Sequence, residues 1–214
     1  MELTKFDHSC VRLVEGDASL VIDPGNLGDT RAALADVHHV LVTHEHPDHV
    51  DVDPLLAQAT ADPELRVWAP ASVARLLDAL GDRVVTVEPN DTVQVGDFEV
   101  RTFGGQHALI HPQVPLVPNV AYLVNETVYH PGDSLVVPPL RVPTALAPIH
   151  APWSKISEVI DFVIGVRAAH VHQIHDGLLN PIGLKMAAGH LSRFASAYGG
   201  EFGLLEPGDT VHPG

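Results

Sequence analysis

The chain has 214 residues, 45% of them hydrophobic and 18% charged, and a formal net charge of -15. That length supports a single domain, residues 1–214, with a substantial buried core, and that composition excludes a disordered chain. The acidity argues against nucleic-acid partners and anionic membranes, both of which select basic surfaces.

The single cysteine, Cys10, has no internal partner and reads as a small buried apolar residue. MELTKFDHSC lacks the basic and apolar regions of a secretory signal, and no apolar run is long enough to span a bilayer, so the expected address is the cytoplasm. In chain order, ELTKF, CVRLVEG and ASLVID read as strands, with Gly16-Asp17 as a hairpin turn. HHVLVT predicts a buried strand. Pro54 to Ala61 reads as a short helix, RVWAP as a strand, and Ala71 to Leu80 as a helix stopped by Gly81. RVVTVEP, TVQV and FEVRTFGG follow as strands, turning at Asn90-Asp91 and Gly96-Asp97. NVAYLVNETVYHPGD reads as a hairpin around Asn125-Glu126.

The last third changes character. Ile156, Val159, Ile160, Val163 and Ile164 recur at helical spacing, with Ser154 as the expected N-cap and Gly165 as the stop. AHVHQIH reads as a strand, and Asn180-Pro181 opens a helix that runs to Gly199-Gly200. EFGLLEPGDTV closes the chain as a strand and turn. Sets of strands with helices between them predict an α+β fold of two sheets flanked by helices.

Fifteen histidines are the unusual feature of the composition. LVTHEHPDHVD places His44, His46, Asp48 and His49 directly after the buried strand HHVLVT. In extended chain His44 and His46 face one side, while the adjacent Asp48 and His49 reach a second point. A tetrahedral site takes three or four ligands, so this segment suits two metal ions better than one. Ligation by histidine and aspartate without cysteine suits zinc, manganese or iron. The competing reading, a polar surface loop, ignores the strand that precedes the motif.

THEHPDH resembles the H-x-H-x-D-H signature of the metallo-β-lactamase superfamily, and the similarity covers nearly the whole chain. Asp23 in LVIDPG, His107 in FGGQHALI, Asp133 in VYHPGDS and His175 in HQIHDG match that family's further site positions. The resemblance implies an αββα sandwich with its metal site at one edge. It implies that His44, His46 and His107 hold one divalent ion, that Asp48, His49 and His175 hold another, and that Asp133 bridges them. Zinc is the foremost expectation, with manganese or iron as alternatives. Asp23 and His130 are expected behind the ligands, Asp23 holding a ligand histidine in its tautomer; the alternative for Asp23 is a turn residue before Pro24. His8 and His150 are expected to face the substrate or else to be structural. Trp153 reads as packing, and His38, His39, His190 and His212 as ordinary. His170 and His172 share one face of their strand, whereas His175 sits where the strand gives way to the Asp176-Gly177 turn; that parity favours His175 as ligand over His172.

Within the superfamily the chain is similar to the branch containing ascorbate-phosphate lactonase, through KFDHSCVRL, Tyr129-His130 before Gly132-Asp133, and Pro148-Ile149-His150. The segment around His107 departs from the G-H-[ST]-x-G-H form of glyoxalase-type members, which argues against a hydroxyacylglutathione hydrolase. The implied reaction is hydrolysis of a small ester-like bond (lactone, thioester or phosphodiester) by hydroxide between the ions. Asp48 is then a ligand that could also carry a catalytic proton. Two cations reverse the acidic field locally, so an anionic small-molecule substrate is expected; homo-oligomerisation stays open. The alternatives are an iron-dependent oxidoreductase of the same fold and a non-catalytic metal-binding protein. Di-iron members carry glutamate at the motif's second histidine, where this chain keeps His46, and a degenerate scaffold would have lost ligands.

Overall fold

A computed structural model describes all 214 residues. The first half of the chain lays down β1 (Glu2–Lys5), β2 (Val11–Glu15), β3 (Ala18–Ile22), α1 (Thr30–Leu34), β4 (His39–Leu41), α2 (Val52–Ala61), β5 (Arg66–Ala69), α3 (Ala71–Leu76) and β6 (Val84–Thr86). There follow β7 (Thr92–Val95), β8 (Phe98–Gly104), β9 (Val120–Val124), β10 (Val128–His130), β11 (Thr144–Pro148), α4 (Ile156–Val166), β12 (His170–Ile174), α5 (Pro181–Ala197), β13 (Glu201–Gly203) and β14 (Thr210–Val211). One seven-stranded sheet runs in the order β14-β1-β2-β3-β4-β5-β6, the other β13-β12-β11-β10-β9-β8-β7.

Strand alternation builds the layers. Leu41 and Trp68 face the space between the sheets with Leu3, Leu13, Phe98 and Tyr122. Their neighbours Val40, Val67 and Ala69 turn outward beneath Leu55 of α2 and Val73 of α3. In the second sheet Val120, Tyr122 and Val124 point inward, while Ala121 and Leu123 meet Phe162 and Val163 of α4 and Leu191 of α5. Strands covered on both faces read as continuous apolar runs, as VAYLV does. Each large side chain so buried contributes roughly 1.5–3 kcal/mol. The result is the expected αββα sandwich.

Local details differ from the sequence reading in several places. The helix expected to run to Leu80 ends at Leu76 and passes into a 3-10 turn, Asp78–Arg83, that carries Gly81 inside it. The N-cap of α4 is Lys155, whose amide donates to Glu158 Oε2 at 3.0 Å, while Ser154 Oγ accepts from the Ala151 amide instead. Gly165 lies within α4, and the helix closes at Arg167 with φ 51°. Asn180 caps α5 as expected, accepting from the Gly183 amide at 2.9 Å ahead of Pro181. The closing segment divides between the sheets: β13 pairs with β12 and β14 with β1.

Parallel pairing fixes where function can sit. β3 runs parallel to β4, β10 to β11, and β11 to β12, so their carboxyl ends lie together at one edge. Asp23, His44, Asp133, His150 and His175 all lie within a few residues of those ends. Tyr122 ties the two sheets there, its hydroxyl donating to the Val42 carbonyl at 2.9 Å.

Candidate metal centre

The motif loop leaves β4 beside Asp23, which is fully buried at the end of β3 with φ 53°. Asp23 accepts from the Thr43 amide and hydroxyl, each at 2.7 Å, and from His49 Nδ1–H at 2.6 Å. Because the Thr43 hydroxyl spends its proton on Asp23, its oxygen is free to accept from His44 Nδ1–H at 3.0 Å. Gly25 lets this turn approach the motif: a Cβ there would lie 1.8 Å from the Asp48 carbonyl oxygen. Asp133 is set by Asn119, whose Oδ1 accepts from the Asp133 amide at 3.0 Å. His130 braces the same turn by accepting the Gly132 amide on Nδ1 and donating from Nε2 to the Ser9 carbonyl.

These partners fix the proton of each imidazole. His107 Nδ1–H donates to the Ala108 carbonyl and His175 Nδ1–H to the His150 carbonyl, both at 2.6 Å. With Nδ1 the donor in His44, His49, His107 and His175, Nε2 is the nitrogen that carries the lone pair when each ring is neutral. Two groups of donor atoms result, each within 4.8 Å internally: His44, His46, His107 and Asp133, and His8, Asp48, His49 and His175. Asp133 also reaches the second group, its Oδ1 lying 3.0 Å from His49 Nε2 and its Oδ2 3.1 Å from His175 Nε2. The Nε2 atoms of His49, His107 and His175, and Oδ1 of Asp133, are buried without hydrogen-bond partners. Buried polar atoms are normally satisfied. Lone pairs converging on a shared carboxylate fit divalent cations.

The electrostatics ask for the same positive charge. Burial raises the pKa of Asp133, yet His49, with His107 and His175, pulls it well below the usual carboxylate range. Burial lowers that of His49, but Asp133 and Asp23 outweigh it and hold the imidazole well above its ordinary value. Burial raises Asp48 and is outweighed by the His8 hydrogen bond and His49, which bring it down to about 2. His44 is driven well below its ordinary value by burial and by His49.

A model of the β-lactamase superfamily domain matches residues 2–175. The chain belongs to the metallo-β-lactamase superfamily. Protein Rv0786c of Mycobacterium tuberculosis is 35% identical over 186 residues, 85% of this chain and 86% of that protein. The UPF0173 metal-dependent hydrolase Atu1317 of Agrobacterium fabrum is 35% identical over 116 residues, 50% of this chain and 48% of its own. Among solved structures, the metallo hydrolase Igni18 of Ignicoccus hospitalis superposes with a TM-score of 0.75 at 18% identity, covering 98% of this chain and 97% of that one. CmlA, a diiron β-hydroxylase from Streptomyces venezuelae, gives 0.77 at 19% identity, covering 98% of this chain and 53% of CmlA.

In this superfamily member the seven residues expected as ligands converge, whereas other expected site residues stand elsewhere. His8, expected against the substrate, is 2% exposed and sits inside the second donor group. His150 contributes its carbonyl to His175, while its side chain lines a separate pocket with Ile156, Met186 and His190. His172 donates from Nδ1 to the Gly203 carbonyl on β13, away from the centre, and His170 lies at the outer end of β12. Trp153, read as packing, donates its indole N–H to Asp133 Oδ2 at 3.0 Å and lines the cleft over the donors. Nothing in the spacing of APWSK marks that role. The cleft holds about 150 Å³, walled by Ile110, Pro152, Trp153 and Leu178, with no lysine or arginine in its lining.

Proposed function

We propose that this chain is a metal-dependent hydrolase holding two divalent cations, zinc foremost, that cleaves a small ester-like bond such as a lactone, thioester or phosphodiester. The observation that carries the reading is the set of four buried, unpartnered atoms on His49, His107, His175 and Asp133. Cations at this point would acidify a water and polarise a substrate oxygen. His44, His46 and His107 would hold one ion, Asp48, His49 and His175 the other, with Asp133 between them. The protein's part is orientation: carbonyl and carboxylate acceptors fix the Nδ1 protons, and the Trp153 indole fixes one oxygen of Asp133. Asp48 is held ionised at neutral pH, which suits ligation better than proton donation. The cleft of about 150 Å³ limits the substrate to a small group. An anionic substrate would be held by the cations themselves, since the walls carry no cationic side chain.

Similarity to the metal-dependent hydrolase Atu1317 and the metallo hydrolase Igni18 supports hydrolysis. The likeness to CmlA concerns the fold, and His46 keeps the hydrolase reading ahead of a di-iron one. Zinc- or manganese-loaded protein is expected to cleave at least one member of a panel of lactones, thioesters and phosphodiesters. Chelation should abolish the cleavage and metal should restore it. Absence of any cleavage, with oxygen consumed by iron-loaded protein, would overturn the reading in favour of an oxidoreductase.

A further inference from the structure

His8 has a different hydrogen-bond pattern from every other histidine of the second donor group. His49 and His175 each donate from Nδ1 to an oxygen acceptor. At His8 the partner of Nδ1 is a donor, the Gly177 amide, at 3.1 Å. A neutral imidazole carries one proton. With Nδ1 accepting, the proton of His8 stands on Nε2, which donates to Asp48 Oδ2 at 3.2 Å. A nitrogen that carries a proton has no lone pair for a cation, although His8 lies within the 4.8 Å group.

The surroundings leave the ring little freedom. Its residue has φ 55° and is 2% exposed. The His8 carbonyl accepts from the His175 amide at 3.2 Å and from Lys5 Nζ at 2.9 Å. Lys5, 1% exposed, also binds Asp176 Oδ1 at 3.1 Å. The loop after β1 is thereby locked to the turn after β12, and the imidazole is delivered to Asp48 Oδ2, the oxygen that lies 3.6 Å from His175 Nε2 and 3.9 Å from His49 Nε2.

We propose that His8 is a positioning residue, not a ligand: it holds Asp48 by an Nε2–H hydrogen bond so that the carboxylate faces the second cation. The inference rests on the dinuclear reading above and decides the part of Asp48, which the sequence leaves open between ligation and proton transfer. A carboxylate oxygen engaged by a protonated imidazole nitrogen is fixed in place and disfavoured as a proton carrier.

Two measurements on the intact protein test it. Long-range proton–nitrogen NMR correlations of the imidazoles read tautomers in the metal-free and zinc-loaded wild type. His8 is expected to keep its proton on Nε2 in both, while Nε2 of His49 and His175 carries no proton in the zinc-loaded protein and shifts on loading. Calorimetric zinc titration then compares His8→Phe with His8→Gln. The phenylalanine variant should weaken the second equivalent about 10–100-fold, the usual consequence of losing a group that orients a ligand. The glutamine variant, whose amide can donate from a similar point, should retain wild-type affinity, and the first equivalent should be unchanged in both. A bare, zinc-shifted His8 Nε2 would overturn the proposal, as would a glutamine variant that fails like phenylalanine or a phenylalanine variant that binds two zinc ions normally. A wild type that takes up fewer than two ions would remove the dinuclear reading itself, and this inference with it.

Discussion

Asp23 anchors the centre without reaching it. Its carboxylate satisfies the Thr43 amide, the Thr43 hydroxyl and His49 Nδ1, all in a position with no solvent access. Asp23→Ala leaves those donors orphaned, and each costs about 1–3 kcal/mol. It also frees the Thr43 hydroxyl and His49 to change orientation, which should weaken metal binding about 10–100-fold. Thermal unfolding and zinc titration check the two effects together; a folded variant with unchanged zinc affinity would contradict this part for Asp23. At this scale the site was partly legible. The motif and the single residues resembling family positions pointed to atoms that do converge, and strand parity separated His175 from His172. His8 and Trp153 were not legible in those roles. Each reaches the centre through a loop whose path is set by tertiary contacts, such as the Lys5–Asp176 pair, and not by local spacing.

The turn between β10 and Asp133 shows how an element delivers a side chain. Gly132 has φ 60°, and a Cβ there would lie 2.4 Å from Asn119 Oδ1 and 2.7 Å from Thr43 Cβ. Asn119 holds the Asp133 amide, and Thr43 holds His44. Gly132→Ala therefore combines a left-handed alanine with overpacking of about 1–3 kcal/mol, and it should reduce zinc affinity as well. Gly16→Ala is the comparison: φ is 61°, but nothing lies within 4 Å. It should cost about 1–2 kcal/mol from backbone conformation alone and leave zinc binding intact. Equal zinc affinity in the two variants would show that the turn does not position the centre. Most elements were readable from alternation and turn residues. The exceptions have physical causes: α1 is a short helix of five residues, and β11, TALAP, is buried along its whole length and offers no alternation. The expected stop at Gly165 failed because a glycine can stay inside a helix when packing supports its neighbours, here Val163 and Val166.

At the scale of the molecule, the two sheets contribute different halves of the candidate centre. The loop after β4 brings His44, His46, Asp48 and His49 from one sheet, while His107, Asp133 and His175 come from the other. Division of EFGLLEPGDTV between both sheets gives each sheet an edge strand, a long-range arrangement that no local pattern encodes. Cations in the cleft would join the sheets where Tyr122 already bridges them, so binding would favour the folded sandwich over the unfolded chain. Anomalous diffraction from zinc-loaded crystals tests the central claim most directly. The account predicts two peaks about 3.5–4 Å apart, one among His44, His46 and His107, the other among Asp48, His49 and His175, with Asp133 touching both. A single peak, or peaks away from these residues, would contradict it.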